Sequence, residues 1–218
     1  MKRQIKKIQI SCDGGAATGK STGAKMIAKK YNLKFLSSGL LYRYASFLLI
    51  KHKPKNQINF LKKRFKNLNY KKIEKINLHT HEISKKTSNI AKVNKIRKIL
   101  KTFQKKFAIK YKNCCIEGRD ISTKIIPNSD IKFFFKCNLN IAALRRYKEL
   151  KKKDKRIKFK DVKKALRIRN IHDTKRRFSP LLKHRDAIEI DTSKLNKQAM
   201  LVKMSKHVDK EIKKKYGN

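Results

Sequence analysis

Acidic residues are scarce. Of 218 residues only 15 are Asp or Glu, against 62 Lys or Arg, leaving a formal charge of +47. That balance excludes an acidic-tail protein and an acid-rich calcium binder. Long apolar runs are also missing. Nothing approaches the roughly 18 residues of a membrane span; the longest stretch, Leu40–Ile50, is short and holds Arg43. The basic start, Met1–Gln9, has no apolar segment before the first glycines, so no secretory signal is read. Cysteine is limited to Cys12, Cys114, Cys115 and Cys137, without zinc-site spacing. Set in apolar runs, they read as buried, reduced thiols of a cytoplasmic protein. The six histidines form no metal-ligand spacing, and no internal repeat is visible.

Lysine is what abounds, with 49 of the 62 cations, spread from Lys2 to Lys215. Ile and Asn are abundant too, and all three have AT-rich codons. Genome bias plus a solvated surface explains this composition, leaving weak, non-specific nucleic-acid contact as the expectation. The same bias makes the 13 arginines informative. Where Lys is the easy choice, a retained Arg points to a need for its planar, two-pronged fork.

Apolar residues make up 39% of the chain. At this length they suffice for one domain with a core of its own, 1–218. Lys7–Cys12 reads as the first strand, Leu33–Leu36 as the second, and Asn113–Glu117, Ile131–Cys137 and Ala187–Asp191 as three more. Helical periodicity runs over Ser21–Tyr31, Leu41–Lys51, Ser88–Ile109, Ile141–Leu150, Lys160–Ile171 and Asn196–Lys215. In the long Ser88–Ile109 pattern Ile90, Val93, Ile99, Leu100, Phe103 and Phe107 are the inward positions. Lys51–Lys75, lysine-rich and holding Pro54, takes no assignment. Strands alternating with helices predict an α/β fold with a parallel sheet.

The first strand runs into Gly14-Gly15-Ala16-Ala17-Thr18-Gly19-Lys20-Ser21-Thr22, which fits G-x-x-x-x-G-K-[ST] at a strand-to-helix junction. Small residues let backbone N–H groups converge on phosphates, and the helix N-terminus adds its positive dipole end. Lys20 would reach the β- and γ-phosphates and Ser21 would hold Mg²⁺. No Asn-Lys-x-Asp run follows a strand to read guanine, and motor or transport ATPases are longer. A small P-loop phosphotransferase remains.

Six of the seven glycines (14, 15, 19, 23, 39 and 118) lie in three strand-end loops or in the turn after Lys20. Open α/β sheets build their sites at such strand ends. The second strand leads to Ser37-Ser38-Gly39 and Tyr42-Arg43, the third to Glu117-Gly118-Arg119-Asp120. With these loops, Thr123 and Pro127, Arg169-x-x-x-Asp173-x-x-Arg176, and Pro180-Leu181, the chain resembles the bacterial cytidylate kinases from about Ile8 to Asp191. Ser88, nine residues before Arg97, matches a further pair of that family. It departs from the family pattern at Ser37, Leu40 and Ala142, and its glycine-free Lys51–Thr87 stretch is short.

The resemblance implies a P-loop NTPase fold with a small acceptor-binding insert at about 52–96 and a helical lid at about 148–176. It implies transfer of the ATP γ-phosphoryl group to CMP or dCMP. Arg43, Arg97 and Arg119 would grip the acceptor monophosphate or its base edge, Ser38 would help hold it, and Asp173 would bind the ribose. Ser88 and Asp120 would read cytosine. A carboxylate accepts from the N4 amine, whereas the O4 of uracil would set two acceptors face to face. Arg169, Arg176, Arg145 and Arg146 would neutralise the transferring group. Glu117 would orient a water on Mg²⁺. A helical face carrying Arg169, Asp173 and Arg176 together is expected from their spacing. The remaining alternatives are a small kinase of AMP, dTMP or shikimate, and a basic nucleic-acid-binding P-loop protein. Small nucleotides, no membrane and a monomer complete the expectation.

Overall fold

The computed structural model describes residues 7–152 and 154–217; the basic stretch Met1–Lys6 and the lid position Lys153 lie outside them. The chain forms two compact units: one runs to Leu36 and resumes at Tyr111, and the other is Ser37–Lys110.

The larger unit is a five-stranded sheet in the order β2-β3-β1-β4-β5. Its strands are β1 (Gln9–Gly14), β2 (Lys34–Ser37), β3 (Cys114–Gly118), β4 (Ile131–Lys136) and β5 (Ile188–Asp191). The pairings β3–β1, β1–β4 and β4–β5 are parallel. Central strands covered on both faces need unbroken apolar runs, which is why Cys114 and Cys115, on opposite faces of β3, are both fully buried. α1 (Lys20–Lys30) and α9 (Lys197–Tyr216) close one face: Ala24, Ile27 and Ala28 meet Met200, Met204 and Val208 over Ile10, Cys12, Phe133 and Phe135. α7 (Leu139–Lys151) and α8 (Phe159–Lys175) pack through Ala143, Val162 and Leu166 onto Ala16. Phe133 and Phe135 are core residues, not a stacking platform for bases.

The smaller unit is helical: α2 (Ser38–His52), α3 (Gln57–Lys66), α4 (Tyr70–Glu74), α5 (His81–Ile90) and α6 (Asn94–Lys110). Leu61, Phe65, Ile73, Leu78 and Leu100 are buried in it. Each of the first four helices starts with a side-chain cap, from Ser37, Asn56, Asn69 and Thr80 in turn. These caps resolve the stretch left unassigned in the sequence. Its asparagines satisfy the orphan N–H groups that open α3 and α4.

Three local readings change. β1 begins and ends two residues later than expected, so Asp13 and Gly14 belong to the sheet and pair with Phe134 and Phe135. The single helix expected over Ser88–Ile109 is two, broken at 91–93. α5 ends in a tight turn in which Lys92 and Val93 donate to the Asn89 and Ile90 carbonyls, three residues back. Val93, expected inward, is exposed on that turn. Arg176 lies past the end of α8 in extended backbone, so it does not share a helical face with Arg169 and Asp173.

Candidate active site

β1 delivers the phosphate loop. At Gly14, with φ +154°, a side-chain Cβ would sit 2.6 Å from the Phe135 carbonyl oxygen, so only glycine lets β1 stay beside β4 there. Gly19 takes φ +79° and opens α1 without a capping side chain. Ala17 is also left-handed, with φ +59°. Within the loop Thr18 donates its hydroxyl to the Gly15 carbonyl, 3.1 Å. The Ala16 N–H donates to Asn170 Oδ1 on α8, 3.2 Å, and Thr192 after β5 donates to the Thr18 carbonyl, 2.9 Å.

Lys20, at the start of α1, is buried, and its Nζ lies 2.7 Å from Glu117 Oε2 at the end of β3. Burial lowers its pKa, with Arg119 and Arg169 acting the same way, and Glu117 opposes the fall. Ser21 is on the exposed side of α1 and Thr22 is half-buried. A hydroxyl and a carboxylate are oxygen donors of the kind Mg²⁺ takes, and that ion keeps several waters and phosphate oxygens as ligands. Among the described residues no cluster of three or more His, Cys, Asp or Glu could cage a metal. Ser21 with Glu117 therefore fits a Mg²⁺ carried mainly by nucleotide and water.

A second set of charges lies on the same unit. Arg119 donates Nε to Asp173 Oδ2 at 2.7 Å and Nη1 to the Gly118 carbonyl at 3.2 Å. Arg176 reaches Asp173 Oδ1 at 3.4 Å and Asp120 Oδ1 at 3.9 Å, while its Nε donates to the Ser179 carbonyl at 2.5 Å. Burial works against both charges of the Arg119–Asp173 pair, but the pairing prevails. Arg119 is held above its ordinary pKa and Asp173 below, with Arg169 and Arg176 adding to the latter. The fold thus brings Arg119, Asp120, Asp173 and Arg176 together although Arg176 has left the helix. Arg145 is placed differently: its guanidinium binds the Thr192 hydroxyl at 3.1 Å and carbonyl at 2.7 Å. Arg146 pairs with Glu149 one turn on.

In the smaller unit Ser38 is buried at the first turn of α2. Arg43 donates to the Leu78 carbonyl at 3.1 Å and to Ser84 Oγ at 2.9 Å. Ser88 donates to the Ser84 carbonyl one turn earlier, 3.3 Å. Arg97, on α6 rather than on the helix of Ser88, is buried, lies 5.6 Å from the Tyr42 ring centre, and caps the broken end of α5 through the Ala91 carbonyl, 3.2 Å.

Sequence reasoning missed Asp13, Ser84, Asn170 and Thr192. Asp13 had a usable signal, one of only 15 acids standing directly before the phosphate loop. The other three are common polar residues whose roles come from long-range contacts.

The family model described as Cytidylate kinase matches residues 10–210. The cytidylate kinase of Clostridium tetani (strain Massachusetts / E88) is 34% identical over 222 residues, covering 97% of this chain and 98% of the relative. That of Alkaliphilus oremlandii (strain OhILAs) is 35% identical over 201 residues, 86% of this chain and 91% of the relative. An uncharacterized protein from Eubacterium ventriosum ATCC 27560, known from its crystal structure, shares the fold with a TM-score of 0.52 at 15% identity, over 93% of this chain and 98% of that one. With a family match spanning most of its length and relatives about one-third identical along nearly all of theirs, the chain belongs to the cytidylate kinase family.

Proposed function

We propose that the protein transfers the γ-phosphoryl group of ATP to CMP or dCMP, releasing CDP or dCDP and ADP. The observation that carries this reading is two ion pairs at the strand ends of one parallel sheet, the buried Lys20–Glu117 and the half-buried Arg119–Asp173. The first follows the phosphate loop; the second follows β3. Phosphoryl transfer asks little covalent chemistry of a protein. It asks for fixed cations around a group whose charge spreads in the transition state.

In the larger unit, Lys20 and the N–H groups of Gly14–Gly19 take the ATP phosphates. Ser21 would hold Mg²⁺ with Glu117 acting through water, and the ion would neutralise phosphate charge. Arg119 takes the acceptor phosphate as a fork. Asp173 fixes that fork and takes the ribose, and Asp120 accepts the N4 amine of cytosine. Arg176 and Arg169, with Arg145 behind the loop, supply the remaining positive field. In the smaller unit, Arg43 and Arg97 bind acceptor and Ser88 reads the base, with Ser38 at the first turn of α2. The insert at about 52–96 is assigned to the acceptor and the helices at about 148–176 to the lid. A cytoplasmic monomer acting on free nucleotides is the setting proposed, supported by four free cysteines.

The test is ADP release, measured with CMP, dCMP, UMP, AMP and dTMP as acceptors. CMP and dCMP should lead the set clearly. An equal or higher kcat/KM for AMP or dTMP overturns the assignment.

A further inference from the structure

Asp13 is an acid that the phosphate-loop chemistry does not use. It is the penultimate residue of β1, fully buried, in register with Gly118 of β3. Its carboxylate accepts three hydrogen bonds from one place: the Ile121 N–H to Oδ1 at 2.8 Å, and the Ser122 N–H and hydroxyl to Oδ2 at 2.7 and 2.6 Å. These donors open a single π-helical turn, Ile121–Ile125, in which the Ile126 N–H reaches back five residues to the Ile121 carbonyl.

The first N–H groups of a helical turn have no partner inside it. The residue just before normally supplies one, and aspartate is among the best at doing so. Here that residue is Asp120, and its side chain makes no capping bond. Asp13 caps the turn instead, from a different strand. The Asp120 carboxylate is turned toward Arg176, 3.9 Å away.

We propose that Asp13 is a positioning residue for acceptor recognition: by capping the Ile121–Ile125 turn from β1, it frees Asp120 from the cap and sets the direction of Asp120 and Arg119. The proposal rests on the reading of Arg119 and Asp120 as acceptor-binding groups. The chemistry suits an ionised carboxylate, which only accepts and so can take three converging donors. An amide in the same place turns an NH₂ against one of them.

Asp13 also adjoins Gly14, so a merely structural role would weaken ATP and CMP binding together. The experiment measures kcat and KM for each substrate in the full chain, with folding followed by thermal melting. Asp13→Asn should raise KM for CMP about tenfold and leave KM for ATP within about twofold. Ser122→Ala removes one of the three bonds and keeps the carboxylate; it should raise KM for CMP about threefold. The double variant should match Asp13→Asn alone, because the two changes break one linkage.

Equal rises in both KM values overturn the proposal, since Asp13 then supports the phosphate loop. An unchanged KM for CMP also overturns it. If Asp13→Asn does not fold, Ser122→Ala decides by the same two criteria. Arg119→Lys separates the failures. If it raises KM for CMP while the Asp13 and Ser122 variants do not, only the positioning role is lost. If none of the three does, the acceptor reading falls with it.

Discussion

Arg119 sits where a lysine would keep the charge and lose the geometry. Its Nε and Nη1 are fixed by Asp173 and by the Gly118 carbonyl, so the fork has one orientation. A point charge on a flexible stem cannot be held that way. A hydrogen bond to a charged group contributes about 1.5–3 kcal/mol, so Arg119→Lys should lower kcat/KM for CMP by roughly 10- to 100-fold with the fold intact. Steady-state kinetics beside a thermal melt checks this; an unchanged kcat/KM shows that the fork is not used. Arg119 was legible in the sequence because lysine is this chain's easy cation and arginine stands out against it. Asn170, Thr192 and Ser84 were not. An asparagine that meets the Ala16 N–H across 154 residues carries no local sign of doing so.

Among the elements, β1 depends most on one residue. Gly14 combines a positive φ with a 2.6 Å approach to backbone, which cannot move aside as a side-chain tip can. Gly14→Ala should cost at least about 1–3 kcal/mol by overpacking, lowering Tm by roughly 2–12 °C in a chain of this size. A Tm equal to wild type means that β1 and β4 part locally at no cost. Elements with an apolar run (β1, β3 and β4) or with a glycine-rich loop at their start (α1) were readable from sequence, and all four appear within about two residues of expectation. The helices α3 and α4 were hidden because their caps are asparagines, and asparagine is common throughout this chain. The break between α5 and α6 was hidden for the opposite reason. Apolar spacing continues across it, and the helix end shows only in the structure, in the tight turn of Lys92 and Val93 and in the Arg97 bond to the Ala91 carbonyl.

For the whole molecule, two carboxylates, the buried Asp13 and the half-buried Asp173, make stability depend on pH in opposite senses. Burial raises Asp13 to about 6, against the pull of its three hydrogen bonds. The folded state therefore holds that proton more tightly than an unfolded chain with a pKa of about 3.9. The stability Asp13 contributes is complete below about pH 4 and is lost as pH rises through 6. Asp173 is held below its ordinary pKa, so its contribution is present above about pH 4 and is lost as pH falls through the folded value. Melting wild type, Asp13→Asn and Asp173→Asn from pH 3 to 8 should show the wild-type advantage over the first variant shrinking with pH and that over the second growing. Parallel curves for all three overturn both assignments. The net charge of +47 should give weak, sequence-independent binding to nucleic acid that fades steeply as salt is raised, through loss of counterion release. Retention with sequence preference at physiological salt contradicts that. Finally, the placement of sulfur makes the protein its own gauge of opening. Cys12, Cys114 and Cys115 are sealed in the sheet, with Cys12 and Cys115 3.9 Å apart, and only Cys137 is partly exposed. Burial also raises the Cys114 thiol to about 12, so even its reactive form is withheld. A small alkylating reagent should therefore label one sulfur quickly, and the other three only as fast as the β1–β3 seam comes apart. Mass spectrometry of the time course then reads the rate at which the nucleotide-binding strand leaves the sheet, and added ATP should slow the three late steps and not the first.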